Sequence, residues 1–319
     1  MNIEIKHIHH VGHVVSNMSA ALELYKKLGF VYFTPAYPLM AEKEGEEAKP
    51  LGVANTHIAF LRNFIEIATV VKEGAAIPED AKMVPIQVPP AALPLVLQNI
   101  KRTVDTVSNC LERFEGTHIL CFYSPDVEAS AARFNKNGIG HSRVNPVQRP
   151  IETSEGIKIM PLKVLEIDGE DVPEGRLAIA DMPPLEILQA QTHMNHPNGA
   201  TELIEVILCV AATEIGDFTK RYQRYLGCDM IVDGAIRIFN LENARITIVS
   251  ETHLNSILPG EAVPDLPGFA GYVVEVTDVT DTRKYIERNG FQVKETHQGD
   301  IFVPSSEALG TALVFRQAR

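Results

Sequence analysis

Four of the chain's 11 histidines crowd into its first apolar segment: His7, then His9, His10 and His13 within IHHVGHVV. Imidazole is the commonest metal-ligating side chain and titrates near neutral pH. Strand alternation places His10 on the face opposite to His7, His9 and His13. One imidazole would then point into a site, unless the segment is simply a histidine-rich surface strand. Glu66 stands in FIEIATVV, an apolar run where an unpaired carboxylate is costly to bury. It needs either a cationic partner or an exposed edge. The phrase Leu185-Glu186-Ile187 repeats that local context. His118, in GTHILCF, is either a satisfied core histidine or a ligand. His193 and His196 are spaced for one helix face, but Pro197 and Gly199 argue for a turn. Asn55, His57 and Arg62 flank the strand segments around Glu66. There is no GxSxG, GxxxxGK or GxGxxG, so serine-hydrolase, nucleotide and dinucleotide readings have no support.

These residues are carried by a unit that recurs four times: an apolar strand, a polar cap, an amphipathic helix, then Gly and an apolar residue. The copies begin at Ile8, His118, Leu203 and Tyr272 and close at Gly29, Gly138, Gly227 and Gly290. Ser, Asn, Asp and Thr cap a helix start, and Gly ends a helix in the left-handed conformation. Short strands are expected after each Gly: Phe30–Thr34, Thr56–Leu61 and Phe64–Val70 in the first copy, and Met230–Val232, Ala235–Asn240 and Arg245–Val249 in the third. In the fourth they are Gln292–Thr296, Ile301–Val303 and Ala312–Phe315. The second copy is less regular across 144–181. Each unit therefore reads as βαβββ, an open sheet that needs a partner. Residues 35–54 read as a charged loop able to cover a cleft. A helix from about Ala91 to Phe114 joins the first two units. The NHPNGAT turn suggests two lobes, 1–199 and 200–319, with two units each.

The chain has 319 residues, 41 acidic and 29 basic, for a formal charge of −12. That balance disfavours nucleic acid or an anionic membrane as partner. No apolar run is long enough to span a bilayer, and the start lacks a signal-peptide layout. Four scattered cysteines read as reduced thiols of a cytoplasmic protein.

The opening Ile8-His9-His10-Val11-Gly12, its helix Ala20–Leu28 and Gly29-Phe30 resemble the vicinal oxygen chelate superfamily. That superfamily includes glyoxalase I, extradiol dioxygenases, methylmalonyl-CoA epimerase and fosfomycin-resistance proteins. GVANTHIAF, FIEI and the later HPNGA are similar, more narrowly, to a bacterial glyoxalase-like domain group. The resemblance implies an α+β fold in which βαβββ modules pair into cup-shaped lobes around a divalent metal. Ligands come from the first and last strands of each unit. Carried onto this chain, the metal ligands are His10, Glu66, His118 and Glu186. Of these, Glu186 is preferred over Glu66 as the catalytic proton shuttle. Two neutral imidazoles and two carboxylates suit Zn, Ni, Mn or Fe(II). In the second lobe the same positions hold Glu205, Tyr272, Thr247 and Leu313 or Val314, which implies a degenerate site.

The resulting expectation is a metal-dependent lyase or isomerase of glyoxalase type. It would act on a small vicinal-oxygen substrate through an enediolate- or alkoxide-like intermediate. The alternatives are an Fe(II)-dependent extradiol-type dioxygenase and a non-catalytic small-molecule binding or resistance protein. A homodimer is compatible with all three.

Overall fold

In the computed structural model, residues 4–43, 45–169 and 172–318 are described. The first sheet is built from β1 (His7–Val14), β2 (Ala36–Met40), β3 (Lys49–Pro50), β4 (Val53–Ala59), β5 (Phe64–Val70), β6 (Lys82–Pro85), β7 (Gly116–Tyr123), β8 (Asn145–Thr153), β9 (Gly156–Glu166) and β10 (Arg176–Ala180). Its order is β3-β2-β4-β5-β1-β7-β10-β9-β8, with β6 beside β2. The second sheet contains β11 (Ala200–Val210), β12 (Met230–Asp233), β13 (Ile236–Asn240), β14 (Arg245–Ser250), β15 (Gly268–Val276), β16 (Lys294–Glu295), β17 (Ile301–Val303) and β18 (Ala312–Gln317). It runs β12-β13-β14-β11-β15-β18-β17-β16.

Both curled sheets obey one rule. The first strand of each module lies parallel to the last strand of the same module: β1 to β5, β7 to β10, β11 to β14, and β15 to β18. The two first strands of a sheet meet antiparallel at its centre, β1 with β7 and β11 with β15. This is the α+β architecture of paired glyoxalase-like lobes.

The module helices are α1 (Met18–Lys27), α3 (Val127–Lys136), α5 (Ile215–Leu226) and α7 (Val279–Arg288), with α2 (Leu93–Arg113) joining the first two modules. Two short helices complete the set, α4 (Leu185–Gln189) and α6 (Leu254–Ile257). Three module helices start alike. The side chains of Asn17, Asp126 and Asp278 accept from the backbone N–H of Ala20, Ala129 and Asp281. At the end of α5, Gly227 takes a φ of 66°, which a side chain would resist.

One apolar cluster joins both sheets through these helices. It runs from Ile8, Val11, Leu120 and Phe122 through Leu22, Phe134 and Tyr222 to Val206, Val274 and Phe315. Polar contacts cross it too: Asn63 donates to Leu203 O and accepts from Leu203 N.

Several sequence expectations shift here. Phe30–Thr34 is not a strand, and residues 35–54 contain β2 and β3 rather than a free loop. Glu44, inside that stretch, lies outside the described residues. The irregular second module holds the long β8–β9 hairpin.

Candidate active site

The concave face of the first sheet encloses a cavity of about 510 Å³. Its position follows from the topology, because β1 and β7 run down the centre and the outer strands curl around them. Gly12 lets the Ile119 side chain lie against the β1 backbone. A Cβ there would lie 2.6 Å from the Ile119 Cβ, so only a bare backbone leaves room for Ile119 at the cavity floor.

The first strand carries a β-bulge. Ile8 pairs with Phe122 and His10 with Cys121, so His9 is an extra residue on β1. The bulge breaks strict alternation, and both His9 and His10 line the cavity. Their Nδ1 atoms lie 2.7 Å apart. Cys121, opposite His10, joins them. One ligand atom from each of His9, His10 and Cys121 falls within 4.8 Å of the others. Glu66, on β5, places Oε2 3.8 Å from His10 Nε2, and its Oε1 accepts from Asn55 at 2.7 Å. Phe64 stacks on His10, with ring centroids 4.5 Å apart. Arg149 on β8 lies 4.2 Å over the same Phe64 ring. Arg176 on β10 is paired with Glu166 on β9.

Burial sets the electrostatics. It holds the His9 and His10 imidazoles well below their ordinary pKa, and the nearby Arg149 charge adds to this for both. His57 is lowered to about 3 for the same two reasons. These rings are therefore neutral, the form that ligates metal. Burial, then Glu66 and Glu166, push the Cys121 thiol far up, so it is protonated unless a cation displaces the proton. His9 Nε2 is buried without a hydrogen-bond partner. Neutral imidazoles, an orphaned ring nitrogen, a thiol and an oriented carboxylate form a donor set that fits a divalent transition metal.

Of the four expected ligands, His10 and Glu66 come together and the other two lie elsewhere. His118 is itself the extra residue of a second bulge, since Gly12 pairs with Ile119 and His13 with Thr117, and its ring turns to Phe114 rather than to the cavity lining. Its Nε2 is 2.8 Å from Phe114 O, and its ring lies against Phe114. Glu186 is not on a strand. Pro183 and Pro184 precede it, and proline at a helix start sends Leu185–Gln189 into α4, where Glu186 is exposed. The last strand of the second module is instead β10, with Ala178 next to Cys121. A shuttle role for Glu186 at this cavity has no geometric basis. The His193–His196 pair is not a metal pair either. His193 is exposed, whereas His196 accepts from Val31 N and bonds Ala59 O. Alternation wrongly set His9 aside, and nothing in the sequence marked the bulge. Cys121 and Arg149 also went unselected.

The second sheet's cup is different. Glu205 there receives Arg245, Arg316 and Thr247, while Asp300 also binds Arg316. Ile207, Val273, Val314 and Leu258 fill the rest. A smaller cavity of about 160 Å³ remains.

A family model described as a glyoxalase-like domain matches residues 8–226. No protein of curated function matches the chain. Solved structures share its fold at low identity. One is a hypothetical protein from Staphylococcus aureus, at 11% identity and a TM-score of 0.56, covering 98% of this chain and 100% of that one. Another is a mutant 4-hydroxymandelate synthase from Streptomyces coelicolor, at 13% and 0.56, covering 99% and 93%. A third is a fusion of a xylose isomerase-like TIM barrel with 4-hydroxyphenylpyruvate dioxygenase, at 10% and 0.55, covering 99% of this chain and 50% of that one.

Proposed function

Since the chain belongs to the glyoxalase-like domain family, we propose that it is a metal-dependent enzyme of glyoxalase type acting on a small substrate in the first-lobe cavity. The observation that carries this reading is the convergence of His9, His10 and Cys121 with Glu66 on one cavity wall. In this reading the metal ligands are drawn from His10, Glu66, Cys121 and His9. The metal would supply Lewis-acid stabilisation of negative charge on a substrate oxygen.

The chain's own residues do the rest. Asn55 holds one Glu66 oxygen and leaves the other facing His10, so Glu66 is the group placed to take and return a proton. Phe64 keeps the His10 ring in position by stacking. We assign the division into lobes 1–199 and 200–319 a functional meaning: an open cup that reacts, and a second whose ion pairs close it.

A second reading is Fe(II)-dependent dioxygenation. It is favoured by the two imidazoles and one carboxylate of His9, His10 and Glu66, a set suited to Fe(II) with open positions. Two of the similar folds carry synthase and dioxygenase names. Oxygen uptake by anaerobically Fe(II)-loaded protein separates the two.

The test of the main reading is metal stoichiometry of the purified protein and of His10→Ala, Glu66→Ala, Cys121→Ser and Glu186→Gln. Loss of metal in the first three, with Glu186→Gln unchanged, is the expected pattern. Equal metal content in all of them would refute it.

A further inference from the structure

Arg149 has a position that the proton-transfer reading does not use. It projects from β8 into the cavity, and its guanidinium lies 4.2 Å over the Phe64 ring. Among the described residues it makes no hydrogen bond and no ion pair. The contrast with its neighbour is sharp, because Arg176 in the same cavity is taken by Glu166. Glu66 is close enough to raise the Arg149 pKa but is engaged by Asn55 and faces His10. Desolvation nonetheless pulls Arg149 down to about 10, which leaves it fully charged at neutral pH. Arg149 is half-buried, and a cation partly withdrawn from water without a salt-bridge partner gains when an anion enters.

The geometry also specifies the kind of anion. A guanidinium stacked on an aromatic ring keeps its in-plane N–H edge free, and that edge matches the two oxygens of a carboxylate. A single guanidinium balances one negative charge. The second arginine of the cavity is occupied by Glu166, so Arg149 is the guanidinium left for a single carboxylate. Part of the cavity wall is apolar, built by Phe33, Val147, Ile151, Leu162 and Val164. Phe64 touches both Arg149 and His10, so one ligand can span from the guanidinium to the donor cluster. We infer that Arg149 anchors the carboxylate of a small organic acid with an apolar body, whose other end reaches His10 and Glu66. This deepens the reading of the cavity as an active site and rests on it.

The test compares 3-phenylpropanoate and phenylacetate with their uncharged amides, by calorimetric titration into the full chain as purified and again after chelation. A bidentate charge-assisted pair in a desolvated site predicts that the acids bind roughly tenfold tighter than the amides. Arg149→Gln should erase that preference, and Arg149→Lys should keep part of it, with circular dichroism checking that both fold. The preference should survive chelation. Three results would overturn the assignment: acids and amides binding alike, including no binding of either; a preference kept by Arg149→Gln; or a preference lost on chelation, which would place the carboxylate on the metal. If the protein holds no metal yet prefers acids through Arg149, the anchor stands and the metal-dependent reading fails.

Discussion

Lowering the pH should loosen the seam between the two sheets through one residue, His13. Its ring is buried, and its Nε2 lies 2.7 Å from Leu309 O. A carbonyl only accepts, so Nε2 carries the proton and Nδ1 must accept. The donor is Tyr25 OH at 2.9 Å, and Tyr25 in turn accepts from Tyr272 OH at 2.6 Å. Every atom in this chain is satisfied while His13 is neutral. Burial lowers its pKa to about 4, against 6.5 when exposed. Below pH 6.5 the unfolded chain therefore binds a proton that the folded chain refuses. The contribution is complete above pH 6.5 and drains away as pH falls toward 4. It amounts to about 2 kcal/mol lost by pH 5 and about 3 kcal/mol by pH 4. The assay is urea unfolding from pH 7.5 to 4, comparing the wild type with His13→Gln. His57 and His118, lowered to about 3 and about 4, act in both proteins. The wild type should lose more stability than the variant by those amounts. Parallel pH profiles for the two proteins would refute the reasoning.

Three other outcomes are expected. Tyr25→Phe removes the middle of the same chain and leaves His13 Nδ1 without its donor, costing about 1–3 kcal/mol in urea unfolding. Gly12→Ala drives a methyl against Ile119 and should cost roughly 1–3 kcal/mol, with Gly12→Ala/Ile119→Ala recovering part of it in thermal melts. Arg316→Met leaves Glu205 and Asp300 short of their shared cation. It should cost about 3 kcal/mol, reduced when Glu205 is also replaced by Met, as a double-mutant cycle would measure.

The modules were legible because their punctuation is local. Asn17, Asp126 and Asp278 cap their helices as the sequence pattern requires, and Ile301–Val303 forms the strand expected of it. The helix expected from about Ala91 to Phe114 runs from Leu93 to Arg113. The site was half legible. His10 and Glu66 sit on the first and last strands of one module, which pair directly, so strand order brings them together. His9 was hidden by a bulge, which depends on how β1 meets β7 and not on β1 itself. Cys121 was hidden by register, since GTHILCF does not say which residue stands opposite His10. Glu186 misled because LEI copies IEI in hydropathy, while the two preceding prolines decide between helix and strand. Arg149 lies on the long hairpin of the least regular module, and its place in the cavity appears only when that hairpin folds over Phe64.

Helix α5 follows β11 in the chain, yet it serves the first sheet as well. Tyr222 OH donates to Glu174, a fully buried carboxylate, at 2.9 Å, and Arg133 reaches the carbonyls of Arg224 and Tyr225 at the helix end. A truncation at residue 199 would strip that cover and leave an acid stranded in grease beside a raw apolar flank. Anyone wishing to excise the first half for crystallography or engineering should carry the cut beyond Gly227, or expect an insoluble fragment.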